Sequence, residues 1–116
     1  MGKEFKEKLI EENAENVCVK NTFYEQMVKC FARLLYSNTQ EYSQIEKYPV
    51  HKVEDRILEA KEHCSVQKYY FLAGVAMYMY HGRELRSRKG NPDASFSAAL
   101  WFMELIGMDK EGLCLG

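Results

Sequence analysis

The densest chemistry in the chain lies in His81-Gly82-Arg83-Glu84-Leu85-Arg86-Ser87-Arg88-Lys89-Gly90. Arg83, Arg86, Arg88 and Lys89 place four fixed positive charges close together in one short stretch. Cations at a helix C-terminus complement the macrodipole and reach the last carbonyls, which accounts for part of the cluster. The excess predicts an anionic partner, either an acidic protein face or a phosphate backbone, because a guanidinium makes bidentate contacts to both. Tyrosine is the second feature: of eight, Tyr69, Tyr70, Tyr78 and Tyr80 fall in one apolar run. A buried tyrosine needs a partner for its hydroxyl, so such clusters often end at an interface. The expected partner-binding residues are therefore Arg83, Arg86, Arg88 and Lys89 together with Tyr78 and Tyr80.

No comparable set supports catalysis. His51, His63 and His81 do not pair with one another at helical spacing, and no His-Glu-x-x-His occurs. His63 and Cys64 are neighbours, but adjacent helical side chains diverge, and a nucleophile needs its base within hydrogen-bond reach. Glu11-Glu12 and Glu54-Asp55 sit on strongly charged segments, whereas catalytic carboxylates need burial or a cleft to shift their pKa. The glycines are too scattered for a phosphate loop. No catalytic residue, metal site or cofactor is expected. Cys18, Cys30, Cys64 and Cys114 form no Cys-x-x-Cys pair and are expected as free thiols.

The elements that must position these residues follow from periodicity. Phe5, Leu9, Ile10, Ala14 and Val17 recur at helical spacing and predict a first helix over 3–17, narrowly apolar and loosely docked. Asn21-Thr22 punctuates the chain, and Thr22 with Glu25 fits a capping box opening a second helix to Tyr36. Residues 38–50 read as a loop with a possible helical turn and as a candidate mobile binding loop, since Tyr48-Pro49 disfavours helix. A third helix runs from Pro49 or Val50 to His63, and Ser65 caps a fourth over about 66–86. Tyr69–Tyr80 carries no charge on any face, which places this fourth helix at the centre of the bundle or partly in a subunit interface. Ala73, Gly74 and Ala76 there leave room for another backbone. Gly90 is expected just past its end, Asn91-Pro92 opens a fifth helix, and Gly107 closes it. Residues 108–116 are a short, flexible tail.

The 116 residues are therefore expected to form one all-α domain, an irregular bundle of about five helices. Net charge is −1, so the whole chain has no electrostatic pull on nucleic acid or membrane. No apolar stretch follows Met1, and the longest uncharged run is too short to cross a bilayer. The expectation is a cytoplasmic protein with no membrane partner. No motif identifies a family. The Phe71-Leu72-Ala73-Gly74 run in an apolar helix after a charged one resembles small helical proteins of bacteria and their mobile elements.

Small size and the missing catalytic sets point to a non-enzymatic interaction protein. It would bind and regulate or inhibit a protein partner, for instance as a phage or mobile-element inhibitor of a host defence enzyme. A nucleic-acid-binding regulator using Arg83–Lys89 is the alternative, and it requires Lys20, Lys29 and Arg33 to extend the basic surface. Apolar surface beyond what one small bundle hides also predicts a homodimer.

Overall fold

The computed structural model describes the backbone of residues 3–108, with side chains from Cys18 to Met108. Within that range the chain is helical and contains no strand. It has four helices. Helix α1 spans Lys3–Leu35 and α2 spans Val50–Lys61. Helix α3 begins at Val66–Met77, passes through a π-helical turn at Tyr78–Gly82 and ends in a last α turn at Arg83–Arg86. Helix α4 spans Pro92–Ile106. A single 3₁₀ turn, Ile45–Lys47, lies in the connection before α2.

The two expected N-terminal helices are one. Thr22 does not cap: its hydroxyl donates to the Cys18 carbonyl at 3.0 Å, a bond made inside a continuing helix. Glu25 is likewise engaged forward along the helix, pairing with Lys29 at 3.0 Å. Nothing at Asn21-Thr22 then stops the ladder, and α1 runs for 33 residues, about 50 Å at 1.5 Å per residue. The loose docking expected of 3–17 concerns side chains outside the described residues, as does the expected flexibility of the tail beyond Met108.

Helix α1, and not the apolar helix at 66–86, occupies the centre. It packs against α2, α3 and α4. Phe31 of α1 meets Tyr69 of α3 edge-on at 4.9 Å and Phe102 of α4 at 5.4 Å between ring centroids. Met27, Val28 and Phe31 are fully buried along this face, and Val53 and Ile57 of α2 close another side of the core. The uncharged surface of α3 therefore has two fates. Tyr69, Ala73, Ala76 and Met77 face the core, whereas Phe71, Tyr78 and Met79 stand exposed. An apolar helix can look surrounded from its composition and still present half its circumference to solvent.

Residues 36–49 are tied to the neighbouring helices at several points, and the helical turn expected there is the 3₁₀ turn at Ile45–Lys47. Ile45 is fully buried, Arg56 of α2 forms ion pairs with Glu41 and, at 2.7 Å, with Glu59, and the Tyr36 hydroxyl donates to the Arg56 carbonyl at 2.8 Å. The Arg56 hydrogen bond holds the Glu41 carboxyl below the usual carboxylate range.

The remaining caps follow their residue types. Ser65 accepts from the Lys68 amide at 3.2 Å, and Asn91 accepts from the Ala94 amide at 3.2 Å with Pro92 next to it. Gly107 takes the left-handed conformation at φ 75°, and Lys61 of α2 donates to the Ile106 carbonyl at 3.0 Å, closing α4 from outside. Gly90 has another role from the one expected. Its φ is not positive; a Cβ there would lie 2.2 Å from the Glu84 carbonyl oxygen, so glycine is required by close backbone approach.

Candidate functional site

Helices α3 and α4 form a hairpin through the turn at 87–91, and a groove of about 540 Å³ opens between them. Gly74, Met77, Tyr78, His81, Gly82 and Leu85 form one wall, and Phe96, Ala99, Leu100 and Met103 form the other. The wall is apolar apart from the tips of His81 and Tyr78. Its rim is strongly exposed for such residues: Tyr78 64%, Leu85 62% and Phe96 53%. Large apolar side chains this exposed stand together around one concavity.

The π turn shapes the upper wall. A π turn widens the helix by one residue per turn, and such turns recur at functional sites. His81-Gly82 brings two weak helix formers to this place, so the α ladder has least to lose here. The Tyr78 ring settles over Gly82, where an added Cβ would be 3.5 Å from it. Arg86 then reaches back across the turn and donates to the Tyr78 hydroxyl at 2.8 Å, with its guanidinium 5.3 Å from the Tyr78 ring centroid.

His81 and Ser95 join the walls. The Ser95 hydroxyl donates to the Pro92 carbonyl at 3.1 Å and lies 2.5 Å from His81 Nδ1. With its proton on Pro92, the hydroxyl accepts from His81 Nδ1–H. A serine–histidine pair invites a nucleophile reading, but a nucleophile must meet its substrate, and Ser95 is fully buried. The pair fastens α3 to α4.

The six sequence-predicted binding residues do not form one patch. Tyr78 and Arg86 stand together at the groove. Arg88 and Lys89 lie exposed in the turn that closes its end. Tyr80 and Arg83 face another way. Tyr80 lines a small polar cleft with Lys29, Arg33 and Glu46 of the α1 side, and Arg83 sits 5.4 Å from the Tyr80 ring centroid and 3.4 Å from Glu84. Glu84 in turn accepts from the Asn91 amide at 3.1 Å, which holds the turn against α3.

Of the three cations expected to extend the basic surface, Lys29 and Arg33 are paired with carboxylates and Lys20 is stacked on an aromatic ring with its charge retained. Lys29 pairs with Glu25 and donates to the Glu46 carbonyl at 2.8 Å, Arg33 forms an ion pair with Glu46, and the Lys20 ammonium stands 3.1 Å from the Trp101 ring centroid. Among the described residues Arg86, Arg88 and Lys89 have no carboxylate partner.

Leu85, Phe96 and Leu100 were not legible as groove residues, because an apolar residue at helical spacing reads as core, as Met103 beside them in fact is. The available signal was an excess: α4 carries apolar residues on more of its circumference than one core contact needs. Among the described residues no three His, Cys, Asp or Glu side chains converge as a metal set would, and no helix is long and apolar enough to cross a membrane. Cys30 is buried, Cys64 half-buried and Cys18 exposed, all as free thiols; Cys114 lies outside the described residues.

No protein-family model, curated protein or solved structure matches the chain. The described residues form four helices, with an open apolar groove between α3 and α4 and a cationic turn joining those two helices.

Proposed function

We propose that this chain is a protein-binding module that acts by occupancy and not by catalysis. Its α3–α4 groove takes an amphipathic helix of a partner, apolar on the buried face and acidic where it meets the turn at 87–90. The observation that carries this reading is the juxtaposition of the exposed apolar rim, Tyr78, Leu85 and Phe96, with Arg86, Arg88 and Lys89, which have no carboxylate partner among the described residues. An apolar groove supplies affinity to a helical ligand, and uncompensated charge at its end supplies orientation and a faster encounter. Binding of this kind would regulate or inhibit whatever carries the helix.

The test uses a fluorescein-labelled peptide of about 18 residues, roughly five helical turns, with leucine on one face and glutamate on the other. A twin carries lysine in place of glutamate, and a short DNA duplex is run alongside. The expected result is saturable binding of the acidic peptide, weakened at least about tenfold in the lysine twin and lost in Leu85→Asp with Phe96→Asp. Equal binding of both peptides would overturn the charge argument. Preferential binding of the duplex, with affinity falling steeply with salt, would assign the cluster to nucleic acid instead. Sedimentation of the protein alone completes the set: a dimer that Leu85→Asp dissolves would give the groove to a second copy.

A further inference from the structure

The small residues of α3 divide sharply. Ala73 and Ala76 are fully buried against the core, whereas Gly74 lines the groove, and a Cβ built on it would meet nothing within 4 Å. A glycine in a helix interior costs stability relative to alanine. Glycine is usually retained for a positive φ or for close packing, and neither applies: Gly107 alone among the described glycines has positive φ. Gly90, with the Glu84 backbone beside it, shows what a packing requirement looks like in this chain. At Gly74 the bare backbone faces open groove.

We infer that Gly74 is the point of closest approach for the partner, an α-helix whose backbone crosses α3 there. This rests on the groove reading above and specifies it. Helices come closest where a side chain is missing from one of them, and ridges of the partner then fit between Tyr78 and Leu100 on the two walls. The arrangement also sets direction along the groove. The partner's apolar residues lie over Gly74 and Leu100, and its acidic residues lie toward Arg86 at the other end of the wall.

The experiment compares Gly74→Ala and Gly74→Leu with the parent chain, using the acidic peptide and a twin interrupted by proline that cannot form a continuous helix. In the free protein Gly74→Ala meets no atom and gains helix propensity, so its melting temperature rises by a few degrees. Affinity for the acidic peptide falls several-fold in Gly74→Ala and at least about tenfold in Gly74→Leu. The proline twin binds weakly to every variant. A protein that gains stability while losing its ligand cannot have lost it by misfolding. Undiminished affinity in Gly74→Leu, with Leu85→Asp and Phe96→Asp still abolishing binding, would overturn close approach at Gly74 and leave the groove reading standing. Undiminished affinity in all of them would remove both.

Discussion

Arg86 donates a 2.8 Å hydrogen bond to the hydroxyl of Tyr78, eight residues earlier on the same helix. The π turn between them brings the end of α3 back over its own exposed aromatic face. A cation and an aromatic ring, both exposed, are thereby held in one place at the rim of an apolar groove.

Charge reversal is expected to separate binding from folding. Arg86→Glu with Arg88→Glu leaves the helical circular dichroism and the melting temperature close to the parent, because among the described residues neither side chain pairs with a carboxylate and the Arg86–Tyr78 contact that is lost is exposed to solvent. The acidic peptide then loses at least about tenfold in affinity, mostly through slower association. Unchanged affinity would reduce the cluster to helix-end complementation and leave the apolar wall as the whole interface.

Gly90→Ala has the opposite profile. The added Cβ would fall 2.2 Å from the Glu84 carbonyl, which is backbone and cannot swing aside. The turn must open, and the Glu84–Asn91 bond that secures it goes with it. Denaturant titration should show a loss of about 1–3 kcal/mol. A neutral outcome would show that the turn yields freely.

Helix continuity at Thr22 has a simple check. At an N-cap, Thr→Ala costs about 1 kcal/mol, but in a helix interior alanine is the better residue by a few tenths. Thr22 bonds to the Cys18 carbonyl within α1, so Thr22→Ala is expected to be neutral or slightly stabilising. A clear loss of stability would restore two separate helices.

How far the fold was legible in the residues depends on which signals compete. Ser65, Asn91-Pro92 and Gly107 mark helix ends through side-chain or backbone chemistry that works locally, and the boundaries they predict are the ones found. Thr22 carries the same kind of signal but spends its hydroxyl on an i−4 carbonyl, a choice that depends on whether the helix before it persists. Tyr78 and Arg86 were identifiable from type alone. Tyr80, two residues from Tyr78, falls on the opposite face of any helix, but the placement of Arg83 was not legible, because a π turn leaves no pattern in composition and rotates every later residue around the axis. Phe96 and Leu100 differ from Phe102 only in which side of α4 meets α1.

Tyr69 is fully buried, and its hydroxyl has no partner among the described residues. Burial pushes it up to about 12 from the ordinary 10.0. A raised value in the folded chain means stability that is complete below pH 10.0 and is lost as pH rises through 10.0 toward 12. Tyr69→Phe keeps the ring contact with Phe31 and removes the stranded hydroxyl, so it should stabilise by up to about 1 kcal/mol at neutral pH and flatten the alkaline limb. Destabilisation by that substitution would reveal a hydrogen-bond partner for the hydroxyl.

Occupation of the α3–α4 groove is read most directly by amide chemical shifts of the labelled protein titrated with the acidic helical peptide. Shifts are expected to concentrate at Gly74, Met77, Tyr78, Leu85, Arg86 and Phe96, with α2 and residues 36–49 unaffected. Shifts centred on α2 or on 36–49, with the groove silent at saturation, would contradict it.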